Sequence, residues 1–311
     1  MALSGSLRFR SARKRVSPAG RRRALARALA AASLLPAASL LAGAFGPRAA
    51  RANPAAAGAA SAGPAPASPS SALQPPALPQ PALPPLFVLN SRDANVSRID
   101  RKALAEVERI PVGKEPHDLY PTPDGRSLIV ANAVSDELHY FDPVTGPLQK
   151  RVPGIPDPYQ IGFSPDSRWF AVAALRLDRV DLYRHEPGGL QPARQIPLPK
   201  APSHLWFSAD SATVFVTLQE SDEVAAIDVA RGEVLWKLPT GRQPAGIVVT
   251  PDDRQLMVGA MGEDYVHVID WRSRQTVARI VTGKGAHNFR GLGDGRHLFV
   301  SNRVDNTISI V

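Results

Sequence analysis

Five copies of one short phrase, spaced about 42 residues apart, constrain this 311-residue chain more than any other feature. They centre on Asp124 in TPDGRSLIVAN, Asp166 in SPDSRWFAVAA, Asp210 in SADSATVFVTL, Asp252 in TPDDRQLMVGA and Asp294 in LGDGRHLFVSN, with gaps of 42, 44, 42 and 42 residues. In each copy the Asp opens a turn and an apolar run follows, ending eight positions later at Asn132, Ala174, Leu218, Ala260 or Asn302. Self-similarity at this period signals a repeat architecture, so it is read before any local motif.

The second copy shows the content of one repeat: four short apolar or β-branched segments (117–123, 127–132, 137–142 and 148–152) separated by Gly, Pro, Asp and Ser. Segments of this length and composition read as strands, and no sustained 3.6-residue period competes with them. Four antiparallel strands per repeat of about 42 residues predict an all-β fold of propeller blades. Apolar residues on both faces, such as Leu128, Ile129 and Val130, fit sheets that stack on neighbours from both sides.

The phrases LFVLN (86–90), LIVAN (128–132) and LFVSN (298–302) resemble the signature of YVTN-type, YncE-like β-propeller repeats. DELHYFD (136–142), DEVAAID (222–228), DYVHVID (264–270) and DNTISIV (305–311) resemble the family's DNTVSVID strand, and IPVGKEP (110–116) and LPTGRQP (238–244) its link. The resemblance covers residues 86–311 and implies an extracytoplasmic seven-bladed propeller, with no single activity common to the family. The repeats supply three strands, four sets of four, then three more, about five and a half blades. A closed seven-bladed ring takes about 28 strands, so the count implies a C-terminally truncated, open ring.

Ahead of the repeats, residues 1–52 carry eleven Lys and Arg and no acid; the remainder holds 26 bases against 28 acids. The formal charge of +9 therefore belongs to this segment, and the near-neutral rest offers no general phosphate-binding field, which argues against a nucleic-acid partner. A basic stretch to Arg23, an Ala/Leu-rich run and Ala50-Arg51-Ala52 read as a signal peptide cleaved after Ala52. Pro36 and Arg27 interrupt the run, so no stable transmembrane span is expected after processing, and the product is expected to be periplasmic or secreted. Residues 53–85, with ten prolines and no charged side chain, are expected to be a disordered linker. There is no cysteine, which excludes disulfides, thiolate metal sites and covalently attached c-type haem.

Propeller ligands usually bind where inner strands reach the central channel. Seven residues before each turn Asp stand His117, Tyr159, Ser203, Ala245 and His287; six before stand Asp118, Gln160, His204, Gly246 and Asn288; Arg290 follows in the last copy. Radial symmetry brings equal repeat positions together, so His117, Asp118, Tyr159, Gln160, Ser203, His204, His287, Asn288 and Arg290 are the candidate ligand site at the channel mouth. A wet channel mouth is polar without any ligand, and the His residues come from different repeats, so no metal is assigned. The haem-carrying propeller domain of dissimilatory nitrite reductase is similar in repeat pattern, but no local motif here demands haem and no cofactor is assigned. Asp136, Asp178, Asp222 and Asp264, with Asp93 and Asp305, read as turn residues that cap backbone N–H groups. The third repeat departs at Arg184, where the others place Asp, and continues into a longer loop, 185–193, a candidate contact surface.

No nucleophile elbow, P-loop or H-E-x-x-H occurs. The reading is thus a non-enzymatic exported propeller that binds a partner protein or small ligand at the channel mouth. The alternative is a propeller enzyme, lactonase-like or quinoprotein-like. A lactonase would require Glu115, His117, His287 and Arg290 to converge.

Overall fold

The structure, a computed structural model, describes residues 84–292 and 294–311. The expected signal peptide and nearly all of the expected linker fall outside the described residues.

Four of the five turn Asp residues act through the same local chemistry. The hydroxyls of Thr122, Ser164, Ser208 and Thr250 donate to Asp124, Asp166, Asp210 and Asp252, each over 2.6 Å. The same carboxylate oxygens accept the N–H groups of Arg126, Arg168, Ala212 and Arg254. The residue after each Asp lies at positive φ: Gly125 at 68°, Ser167 at 60°, Ser211 at 63°, Asp253 at 55° and Gly295 at 69°. Small or Asx residues tolerate this conformation, and it turns the chain from the inner strand into the second.

Between turns the described residues form 22 strands in six antiparallel sheets. The sheets span residues 86–111, 116–153, 160–197, 202–239, 244–281 and 286–310; the middle four have four strands each and the end ones three. The strand arithmetic of the sequence holds, and these sheets are propeller blades. The expected seven-bladed ring with five and a half blades does not: the described residues form six sheets. The three-stranded sets at each end pair within themselves, Leu86 opposite Ile99 and Val300 opposite Ser309, and each packs as a separate blade.

Five apolar clusters fill the five spaces between successive sheets. Phe170 and Ile129 are fully buried between the second and third sheets, Val180 and Val216 between the third and fourth, and Phe215 and Leu256 between the fourth and fifth. Val268 and Phe289 join the fifth to the sixth, and Val96 and Phe141 the first to the second. Each such side chain contributes about 1.5–3 kcal/mol by leaving water. The second strands Leu128–Asn132, Trp169–Ala174 and Thr213–Leu218 are wholly buried. The outermost strands are largely exposed and carry charge, for example Lys150 and Arg151, which discourages edge pairing.

Candidate functional site

The inner strands Pro116–Pro121, Gln160–Phe163, Pro202–Phe207, Pro244–Val249 and Ala286–Gly291 begin at one face of the molecule. Four residues at those beginnings meet. The rings of His117 and Tyr159 stack with centroids 3.5 Å apart, and His204 lies edge-on to both, at 6.5 and 6.1 Å. His287, two sheets further on, is 5.4 Å from His204 and perpendicular to it. Side chains from the second, third, fourth and sixth sheets thus converge on one axis.

Their protonation follows from their surroundings. Burial lowers His117 to about 4, against the opposing bond from Tyr159 and with help from the charges of Arg176 and Arg303. Burial and then Arg303 lower His287 to about 4, and burial takes His204 well below its ordinary value. All three imidazoles are neutral at neutral pH. His117 Nδ1 donates to the Tyr159 carbonyl over 2.7 Å, leaving Nε2 as the lone-pair nitrogen. His204 Nδ1 lies 3.2 Å from Ser203 Oγ, and Ser203 is itself bonded to Thr217 inside the fourth sheet. Ser203 is fully buried and structural, and Ala245 offers only a methyl group.

The positions one residue further on do other work. Asp118 accepts its neighbour Leu119 N–H at 2.9 Å and reaches across to Ile161 N–H of the next sheet at 3.0 Å. Gln160 Oε1 accepts Leu205 N–H of the sheet after that. Asn288 accepts Phe289 N–H at 2.8 Å. A Cβ at Gly246 would stand 2.4 Å from the His287 carbonyl. Asp118 and Gln160 are sheet-to-sheet staples, His204 at the same position joins the rings instead, and in the fifth sheet the approach is so close that no side chain fits. Burial raises the Asp118 carboxyl, while its backbone bonds and the charge of the exposed Arg290 pull it down.

Three groups at the mouth have no counterpart among the sequence candidates. Arg303 acts electrostatically on His117, His287 and Tyr159. The Gln219 amide is a hydrogen-bond partner of the Tyr159 side chain and holds its hydroxyl down against the effect of burial. Arg176 sits in the short 3-10 turn Leu175–Leu177 and bridges Glu115 at 2.9 Å and Asp157 at 2.6 Å. Burial lifts the Asp157 carboxyl to about 6 in spite of Arg176. A sequence signal existed: Ala133, Leu175, Gln219, Met261 and Arg303 each follow the last residue of the apolar run. Of the residues a lactonase would need, Glu115 is engaged by Arg176.

The second Asp ring is structural. Asp136, Asp178, Asp222 and Asp305 accept N–H groups of Asp157, of Lys200 and Ala201, of Gln243, and of Lys284. Asp136, Asp178 and Asp222 therefore fasten the loop that leads into the next sheet, and Asp305 the loop that leads into its own, rather than their own turns. Among the described residues no group of three His, Asp or Glu is arranged to hold a metal ion, and no helix is long and apolar enough to cross a membrane.

Radial antiparallel sheets around a polar channel mouth define a β-propeller. The chain belongs to the YNCE-like beta-propeller family, whose model matches residues 49–311. It is 25% identical over 158 residues to Protein NirF of Pseudomonas aeruginosa, covering 47% of this chain and 40% of that protein. It thus spans less than half the length of this curated relative. Among solved structures it is similar to a functionally unknown protein from Desulfotomaculum acetoxidans, with TM-score 0.60 and 14% identity over 74% of this chain and 79% of that one. It is also similar to Kuenenia stuttgartiensis hydrazine synthase, with TM-score 0.52 and 19% identity over 73% and 92% of the two chains. A third is dihydro-heme d1 dehydrogenase NirN in complex with DHE, with TM-score 0.53 and 16% identity over 76% and 62%. At these identities the structural likenesses speak to the fold.

Proposed function

We propose that this chain is an exported, non-catalytic propeller that binds a small anionic ligand at the channel mouth, with a carboxylated haem-type molecule as the ligand class. One observation carries the reading: His117, Tyr159, His204 and His287 converge from four sheets beside Arg303. The residues suit such a ligand. Neutral imidazoles keep a lone pair for iron or a hydrogen bond, the Tyr159 ring offers a stacking face, and Arg303 supplies a charge for a carboxylate. Arg176 is already balanced by Glu115 and Asp157, so Arg303 is the cation left for the ligand. Similarity to dihydro-heme d1 dehydrogenase NirN in complex with DHE supports the same class. Export rests on the leader over residues 1–52 and the linker over 53–85.

Native mass spectrometry of the protein recovered from outside the cytoplasm tests this reading. A chain starting at Asn53 and retaining a non-covalent anionic molecule is expected. Intact Met1–Val311 in the cytoplasm, with no processed form, would contradict export, and ligand-free protein after reconstitution with excess haemin would contradict the ligand class.

A further inference from the structure

A cavity of about 410 Å³ opens between the second and third sheets, on the opposite face from the histidines. His117 begins the inner strand Pro116–Pro121, whereas Thr122, just past its end, lines the cavity; six strand residues put about 20 Å between the two places. The wall exists because the third repeat departs from the others. Elsewhere an Asp closes the outer hairpin, as Asp142 does by accepting Val144 and Thr145 N–H. Arg184 stands there in the third sheet, stacked over Trp169 at 3.7 Å, and the hairpin runs on until Glu186 pairs with Gly189. That extension brings Gly189 and Leu190 opposite Val152 and Lys150 of the second sheet.

The lining divides into an apolar floor and one available charge. Phe163, Val152 and Leu190 form the floor. The His185 ring lies edge-on to Phe163 at 4.9 Å and is fixed by Nδ1 donating to Ser167 O at 2.8 Å. Asp124 also faces the cavity, but its oxygens are engaged by the Thr122 hydroxyl, Arg126 N–H and the Arg126 guanidinium at 3.4 Å. Lys150 lies 4.2 Å above the Tyr140 ring, and no carboxylate pairs with it among the described residues. An apolar floor with an ammonium at its rim matches an anion that carries a compact apolar body.

We propose that this cavity binds a small carboxylate with an aromatic or branched apolar body, the carboxylate on Lys150 and the body against Phe163, Val152 and Leu190. Two sources share this chemistry: a free acid, and a peptide C-terminus ending in an apolar residue.

Isothermal titration of the full chain with 3-phenylpropionate, with its neutral amide, and with the tripeptide Gly-Gly-Phe tests the proposal. Saturable binding of the acid or the tripeptide is expected, with at least tenfold weaker binding of the amide. K150E should weaken binding at least tenfold, while K237E, at an exposed lysine of another sheet, should not. K150Q keeps the stem, removes the charge and should also bind weakly; it replaces K150E if the reversal disturbs folding. The double variant H117A/H287A should bind like the unaltered protein. Tighter binding of the tripeptide assigns the site to a protein C-terminus, and equal or tighter binding of the free acid to a small molecule. Absence of saturable binding to either, equal binding of the amide, or unchanged binding by both Lys150 variants would overturn the proposal.

Discussion

His117 and Tyr159, 42 residues apart, share both a hydrogen bond and a ring stack: His117 Nδ1 donates to the Tyr159 carbonyl over 2.7 Å while the centroids lie 3.5 Å apart. One contact joins two successive sheets at equivalent repeat positions and fixes an imidazole tautomer at the channel mouth. Nitrogen-detected NMR of the protein at pH 7 should show His117 neutral, with its proton on Nδ1. A charged ring, or a proton on Nε2, would contradict this placement.

Acid should act on stability through these rings. In the folded state His117 and His287 have values near 4, against about 6.5 when unfolded. The unfolded chain therefore takes up protons first, and stability falls as the pH drops from about 6.5 to 4. Asp157 opposes this, because its raised carboxyl, near 6, favours the folded state as the pH falls. The histidine contribution is read as a difference: urea midpoints of the unaltered protein should decline more steeply over this window than those of H117A/H287A. Parallel curves would contradict the buried, neutral imidazoles.

The staple at Asp118 separates acceptor from charge. D118A leaves the Ile161 and Leu119 N–H groups without their acceptor and should cost about 1–3 kcal/mol in chemical unfolding. D118N keeps an acceptor for one of the two N–H groups, which bond different oxygens of the carboxylate, and should cost less than D118A. Equal losses for the two would indicate that the charge, not the bridging bonds, is what the site needs.

Gly246 marks the tightest approach between sheets. An added methyl would meet the His287 carbonyl at 2.4 Å and Asn288 Cα at 2.9 Å, both backbone, so the strands must move apart. G246A should destabilise by at least about 1–3 kcal/mol and disturb His287 as well. An unchanged unfolding midpoint would show that the fifth and sixth sheets pack less closely than described.

Much of this was legible in the residues. The S/T-x-D turn is local chemistry, and its recurrence every 42 or 44 residues gave all 22 strands. The number of blades was not legible, because whether end strands complete one another or stand as separate sheets depends on long-range pairing. At the site, equal repeat position brought His117, Tyr159 and His287 together, with His204 joining them from the next position along. It did not separate them from Asp118, Gln160 and Asn288, one position away or in the same alternation, whose polar atoms bond backbone instead. Arg303 and Gln219 escaped notice because they follow the buried run, in a loop whose path depends on the neighbouring sheet.

Titration with haemin, followed by visible absorbance, tests the central claim most directly. The unaltered protein should bind one equivalent saturably, and R303Q and H117A/H287A should each bind at least tenfold more weakly, with unfolding midpoints showing that both variants remain folded. Haemin binding of equal strength to the unaltered protein and to both variants, or no saturable binding at all, would contradict a haem-type site at the channel mouth.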